Sequence, residues 1–415
     1  MWTRSIGSAF RDTAHRIPTY SSTSASFRPS PTSRHRTFRS SSTTVSSSQP
    51  RLILGIETSC DDSCASVVSS DRSVLSSVVT KQDHSSTGGI HPLSAALGHH
   101  SNLPSTISSA LTQANVAHAD IDAIAVTQGP GMASSLGVGL SAAKTLSAVL
   151  NKPLIYAHHM QAHALTPLLT EKEPPKFPFL VLLVSGGHTM LVLARGVSEF
   201  RILVTTKDDS IGNASDKVAR DLGIPWTSAS GAALEGLAEK SDKKAVDVVF
   251  PVPCKGQAQF SYSGLKAAVQ RHIESSGGAD MADTDKSEIA AAFQRAASAQ
   301  LEDKLSMVLR PSDQIKDSRG RPHPRIDLLE GVRGDHIKTL VCSGGVASNH
   351  FLRSRLREHL DSLARQDVEL QFPPLSLCTD NAAMIAWVGH LIYDQRTTDY
   401  SRHARPKWSM EDIPR

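Results

Sequence analysis

Cysteine is scarce and unpatterned in this chain: Cys60, Cys64, Cys254, Cys342 and Cys378 show no C-x-x-C spacing. An odd, scattered set excludes a disulfide scaffold and a cysteine-rich zinc module. Long apolar runs are missing too. A stretch such as 179–184 falls far short of the ~20 residues that cross a bilayer, so no membrane partner is expected. The chain also lacks G-x-x-x-x-G-K-S/T and G-x-G-x-x-G, which removes the P-loop and Rossmann readings.

The first 50 residues lack lysine and hold one acid, Asp12, against seven arginines (Arg4, Arg11, Arg16, Arg28, Arg34, Arg36 and Arg39) among dense serine and threonine. They have no continuous apolar core, which a secretory signal needs. Arginine-rich, hydroxyl-rich and acid-poor composition is that of an organellar transit peptide, the bland alternative being a disordered serine-rich tail. Residues 1–50 are therefore expected to direct import into the mitochondrion. They carry a formal +6, whereas the whole chain is +4, which leaves the remainder near −2. Any nucleic-acid contact must come from local basic patches.

What is present fits a protein of two α/β lobes. The chain has 415 residues, 39% hydrophobic and 20% charged, too long for one small core. Short β-branched runs at 52–57, 64–70 and 74–80 read as a meander. A helix over 95–114, a strand over 123–127 and helices over 137–150 and 156–169 follow. After a Pro-Pro linker at 171–178 the pattern restarts, with strands at 179–184, 190–194 and 200–206. Helices then run over 213–222, 232–239, 263–274 and 287–309. A polar excursion spans 311–337, and a strand at 339–342 leads to a helix ending near 364. The last helix is predicted over 382–394. Two halves of similar order suggest a duplicated fold with ligand between the lobes.

Three strands end in small polar residues: Gly55-Ile-Glu-Thr-Ser-Cys-Asp-Asp62, Val184-Ser-Gly-Gly-His-Thr189 and Cys342-Ser-Gly-Gly-Val-Ala-Ser-Asn349. Glycines after a strand let backbone N–H groups approach a phosphate, so three such turns favour a nucleotide cleft. His159 and His163 lie four apart, so on a helix both rings leave one face and can share an ion. Zincins use this spacing with a general base after the first histidine, where this chain has Met160. A third ligand must come from elsewhere. Asp380 is the leading candidate, and a helix N-cap is its alternative role. Asp61 and Asp62 can accept a proton or hold a metal-bound water, or can serve as turn residues.

These segments, with Gln128-Gly-Pro-Gly131, Phe260-Ser-Tyr-Ser-Gly-Leu-Lys266 and Cys378-Thr-Asp-Asn381, resemble the tRNA N6-adenosine threonylcarbamoyltransferase family, formerly called O-sialoglycoprotein endopeptidase-like, and its mitochondrial members above all. The likeness runs from about 52 to 394. It implies an α/β fold of the actin-like ATPase superfold, as in sugar kinases and Hsp70, with two ribonuclease-H-like lobes. Lobe I would span 51–170, completed by a C-terminal helix at about 376–396. Lobe II would span 178–375, and 397–415 would be a tail. The resemblance implies transfer of a threonylcarbamoyl group from L-threonylcarbamoyladenylate, made by a separate synthase. The acceptor is N6 of the adenosine 3′ of the anticodon in mitochondrial tRNAs reading ANN codons. It implies one divalent cation, iron or zinc, on His159, His163 and Asp380, with Asp61 as the catalytic residue. Substrate contacts would fall on Leu183, Val184, Ser185, Gly186, Gly187, Asp216, Gly231, Glu235, Ser348, Asn349 and Thr379. A homodimer in the matrix, without membrane attachment, completes the expectation.

Backbone N–H groups of residues 185–187 would offset charge on the adenylate. Between 216 and 231 the chain departs from the family pattern, reading Trp226-Thr-Ser-Ala-Ser-Gly231 where Pro-Gly-Gly is usual. The rival reading is an ATP-dependent phosphotransferase or ATPase of the same superfold, against which the histidine pair argues, since those enzymes hold Mg²⁺ with carboxylates. Basic candidates for tRNA are Arg353, Arg355, Arg357 and the segment Arg402-His-Ala-Arg-Pro-Lys407.

Overall fold

The computed structural model describes residues 49–85, 89–225, 230–241, 248–310, 329, 331–332 and 334–415. The arginine-rich segment 1–48, positions 226–229 and most of the excursion (311–328, 330 and 333) lie outside the described residues.

The first sheet is built from β1 (Leu52–Glu57), β2 (Ser63–Ser69), β3 (Val74–Thr80), β4 (Ala123–Gly129) and β5 (Leu154–His158) in the order β3-β2-β1-β4-β5. β1 to β3 form the expected antiparallel meander, and β4 and β5 add parallel to β1. The helices α1 (Pro92–Ala114), α2 (Ala133–Leu150) and α3 (His159–Thr170) belong to this half. β1 is apolar from Leu52 to Ile56 because both of its faces are covered. Leu54 and Ile56 enter a core with α1 and α2, whereas Ile53 enters one with Ala162 of α3 and Met384, Ile385 and Val388 from the far end of the chain. α2 is the one described helix long and apolar enough to cross a membrane, and its Leu136, Leu140 and Ala143 are buried in that first core.

The second sheet repeats the plan. β6 (Phe179–Val184), β7 (Thr189–Gly196) and β8 (Glu199–Thr205) form a meander, and β9 (Thr339–Ser343) and β10 (Glu369–Gln371) add parallel to β6 in the order β8-β7-β6-β9-β10. Period-2 alternation along β6 sends Leu180, Leu182 and Val184 to one core and Phe179, Val181 and Leu183 to the other. The helices α4 (Ile211–Asp221), α5 (Ser230–Ala238), α6 (Ser263–Ser275), α7 (Asp283–Leu309) and α8 (His350–Ser362) follow. After the one-turn α9 (Leu375–Cys378), α10 (Ala382–Leu391) returns to lie on the first sheet. A Cβ at Gly55 would stand 2.2 Å from the Ala382 carbonyl oxygen, so glycine is required where α10 crosses β1.

Two expectations change, and one strand was not expected. Residues 156–158 belong to a strand, not a helix, because the apolar run Leu154-Ile-Tyr-Ala is too short for its period to distinguish the two. β10, only three residues long and largely polar, carried no apolar signal. The stretch 397–415 packs tightly. Thr397 pairs with Leu154, the Arg405 N–H donates to the Gln128 carbonyl at 2.8 Å, and Trp408, Met410 and Ile413 are buried against Phe179 and Val181. This strap stitches the first sheet to the second.

Candidate metal centre and nucleotide cleft

α3 starts where it does because His158 caps it. Its Nδ1 accepts from the amides of Met160 (3.1 Å) and Gln161 (3.3 Å), and its Nε2 donates to the Trp408 carbonyl at 3.0 Å. Burial pushes His158 down to about 3, so it is a neutral structural residue. The first turn then presents His159 and His163 on one face, with ring centroids 4.7 Å apart and planes at 88°. Asp380 comes from 217 residues further along and places Oδ1 3.1 Å from His163 Nε2 and 3.5 Å from His159 Nε2. One ligand atom from each residue lies within 4.8 Å of the others. The cap of α10 is the neighbour, Asn381, whose Oδ1 accepts from the Met384 amide at 3.0 Å, so the Asp380 carboxylate is not used for capping.

Behind His159 stands Glu57 at the end of β1, fully buried. Its Oε2 lies 3.2 Å from His159 Nδ1 and accepts from the Thr127 hydroxyl, while Oε1 accepts from the Ser59 amide at 2.5 Å. Burial alone would lower the His159 pKa, but Glu57 and Asp380 outweigh it and raise it to about 9. Asp380 is held well below the usual carboxylate range, because His159 and His163 overcome its burial. Two carboxylates thus enclose two imidazoles in a pocket that attracts positive charge. The residues fit a transition-metal ion. Ligands ~2.1 Å from a tetrahedral ion stand roughly 3.4 Å apart, close to the separations seen, and an imidazole–carboxylate set suits zinc or iron. His163 Nδ1 is buried with no hydrogen-bond partner among the described residues.

The acid loop lies alongside. Asp61 is 22% exposed at its side chain, and its Oδ2 is 3.6 Å from the buried His84 Nε2. Burial, then Asp61 and Asp380, push Asp62 up to about 7 against the opposing Lys81. α1 holds the loop through His99, whose Nδ1 is 2.8 Å from Ser63 Oγ and whose Nε2 is 2.9 Å from the Cys60 carbonyl. Burial raises the Cys60 and Cys64 thiols well above their ordinary range, so neither is a ready nucleophile. Sequence reasoning missed Glu57, His84 and His99. An acid closing the apolar run Leu-Ile-Leu-Gly-Ile was the one signal available for Glu57.

Across from the acids, a cavity of about 440 Å³ is lined by Gly186, Asp216, Gly231, Glu235, Ser348, Asn349 and Thr379, with Lys81 reaching it from the first half. Leu183, Val184, Ser185 and Gly187 do not line it; Leu183 and Val184 are buried at the end of β6. The Ser185 N–H donates to the His188 carbonyl at 2.8 Å, which leaves only the Gly186 and Gly187 amides of that turn for a ligand. Gly344 has φ +103°, and a Cβ there would meet the Val184 carbonyl oxygen at 2.3 Å, so the second and third glycine turns touch. Glu235 accepts from the His350 amide at 2.7 Å and Asn349 from the Leu352 amide at 2.7 Å, so both support the start of α8. His188 is pushed down to about 4 by burial and then by His159 and His163, and stays neutral. Three of the basic candidates hold α8 in place: Arg353 donates to the Ala347 carbonyl, Arg355 pairs in two-point fashion with Glu302, and Arg357 donates to the Val368 carbonyl. Arg402 and Arg405 lie over Tyr156 and Trp408.

A family profile described as tRNA N6-adenosine threonylcarbamoyltransferase matches residues 73–387. The protein of that name from Erythrobacter litoralis is 38% identical over 364 residues, covering 87% of this chain and 96% of its own. The Rhizobium etli protein of that name is 43% identical over 345 residues, covering 81% and 87%. An Arabidopsis thaliana protein named as a probable mitochondrial form is 36% identical over 380 residues, covering 86% and 75%. Among solved structures, T. kodakarensis HypF aligns with TM-score 0.52 at 12% identity over 83% of this chain and 48% of its own, a likeness of fold. The duplicated sheets bear out the actin-like α/β class. With the profile spanning most of the described chain and relatives matched nearly end to end, the chain belongs to the tRNA N6-adenosine threonylcarbamoyltransferase family, a family of acyltransferases.

Proposed function

We propose that the chain transfers the threonylcarbamoyl group of L-threonylcarbamoyladenylate, supplied by a separate synthase, to N6 of the adenosine 3′ of the anticodon in mitochondrial tRNAs reading ANN codons. The observation that carries this reading is the meeting of His159, His163 and Asp380 across 217 residues of chain. Those three residues would hold one divalent ion, iron or zinc. Bound there, the ion would polarise the carbamoyl oxygen and offset charge on the phosphate.

The protein's own groups do the rest. The Gly186 amide, at the edge of the cavity, faces the adenylate, and the cavity bounded by Asp216, Gly231, Glu235, Ser348, Asn349 and Thr379 takes the nucleotide. Asp61, partly open to solvent, receives the proton from N6 as the new C–N bond forms, the carbonyl–oxygen bond of the mixed anhydride breaks and AMP leaves. An ATP phosphotransferase is the weaker reading, since imidazoles suit Mg²⁺ poorly.

The arginine-rich first 50 residues and the mitochondrial relative support action in the matrix. A homodimer is supported by apolar side chains left exposed on neighbouring helices, Leu93 and Leu97 of α1 and Val149 of α2, beside a groove lined by Leu103, Ile107 and Val138. The central test incubates the full chain with threonylcarbamoyladenylate and unmodified tRNA and analyses nucleosides by mass. His159→Ala and His163→Ala should each lose both metal and product, whereas full activity in both would remove the ion from the mechanism.

A further inference from the structure

We infer that Glu57 is the positioning residue of the metal centre: its buried carboxylate accepts the Nδ1 proton of His159 and so turns the Nε2 lone pair toward Asp380 and His163. The inference rests on the proposed metal role of His159, but it concerns a residue that touches neither the ion nor the substrate.

Three observations support it. Glu57 Oε2 is 3.2 Å from His159 Nδ1, on the ring edge opposite the Nε2 that lies 3.5 Å from Asp380 Oδ1; Ser59 Oγ is also 3.2 Å from Nδ1, but a carboxylate can only accept, whereas a hydroxyl can also donate. The carboxylate is fixed in turn, by the Ser59 amide on Oε1 and the Thr127 hydroxyl on Oε2, so its acceptor lone pair cannot swing away from the ring. Its exposure is 0%, and a buried carboxylate needs compensating positive charge. A divalent ion on two neutral imidazoles and Asp380 leaves one positive charge, and Glu57 supplies the matching negative one. A carboxylate behind a ligating imidazole fixes its tautomer and strengthens it as a ligand.

The alternative is that Glu57 only ties the end of β1 to β4 through Thr127. Direct metal titration separates the two roles without reference to turnover. Full-length protein is stripped with chelator, and Zn²⁺ affinity is measured by competition with a chromophoric chelator. The Co²⁺ form is then examined by visible absorption. Glu57→Gln should weaken Zn²⁺ binding ~10–100-fold and alter the Co²⁺ bands. Glu57→Asp keeps the charge but withdraws it by one methylene, and should fall between wild type and Glu57→Gln. Thr127→Val removes one of the two anchors of the carboxylate but leaves its charge facing His159, and should weaken Zn²⁺ binding less than Glu57→Gln does. A folded Glu57→Gln or Glu57→Asp with unchanged affinity and bands would overturn the inference. So would Thr127→Val weakening Zn²⁺ as much as Glu57→Gln. If the transferase reading failed but Glu57→Gln still lost affinity, the positioning role would stand.

Discussion

The two sheets share one strand order but end in different chemistry. At the ends of β1 and β5 stand side chains that carry charge or bind ions: Glu57, the loop to Asp61, and His159. At the ends of β6 and β9 stand turns that offer backbone amides and space, with Gly186, Ser348 and Asn349 around a common cavity. A charged side chain acts at a point, on an ion or a proton. Amide dipoles spread along a ligand suit an elongated anion such as an adenylate. Under the proposed function, one duplicated scaffold would divide reaction from binding. Substitutions in the first half should move kcat or metal, and substitutions in the second should move ligand affinity or stability.

Asp61→Asn is the strongest way to break that division. The amide keeps the shape but cannot take the proton, so product formation should fall ~10²–10⁴-fold. Metal content and the KM for the adenylate should stay at wild-type values in steady-state assays. A change in KM with kcat preserved would place Asp61 on the binding side instead.

Gly344→Ala tests the second half. At φ +103°, with a carbonyl 2.3 Å from the new Cβ, the third turn must move away from the second. A loss of about 2–4 kcal/mol in urea unfolding is expected, from left-handed strain and displaced backbone. The adenylate KM should rise while Zn²⁺ affinity holds.

Histidines of the first half sharpen the comparison through pH. His158 is held down to about 3 in the fold, whereas an unfolded histidine titrates near ~6.5. The unfolded chain therefore binds this proton more readily. The stability due to His158 is intact above ~6.5 and is lost as pH falls toward about 3, at roughly 1.4 kcal/mol per pH unit. Between pH 6 and 5, chelator-treated wild type should lose about 1 kcal/mol more than His158→Gln in urea unfolding. Equal losses would show that His158 is protonated in the folded chain.

The sequence made the halves and most of the glycine turns legible, because apolar strands followed by small residues leave a local signature. Partners joined across the fold were harder to read. Three histidines in six residues look alike, yet His158 caps a helix while His159 and His163 face Asp380; what divides them is Trp408, 250 residues away. The cap role that stood as the alternative for Asp380 falls to its neighbour Asn381, which accepts from the Met384 amide. Glu57 read as a strand end because its partners, Thr127 and His159, come from other elements. The segment 397–415 read as a tail because its apolar residues, Trp408, Met410 and Ile413, are spaced for contact with a distant sheet and follow no helical or strand period.

Glu235→Gln has the smallest expected effect and tests whether a residue lining the cavity serves the ligand or the helix. Its Oε1 accepts from the amides of His350 (2.7 Å) and Phe351 (3.3 Å), at the start of α8. Glutamine keeps an acceptor there but removes the negative charge that favours a helix N-terminus, a loss of about 0.3–1 kcal/mol. Support of the helix alone would leave the adenylate KM within about twofold of wild type, with a slightly lower unfolding midpoint. A ~tenfold rise in KM at unchanged stability, equivalent to ~1.4 kcal/mol of binding, would instead make Glu235 a direct contact. It would also show that a charged side chain of the second half takes part in holding the ligand, blurring the division drawn between the two sheets.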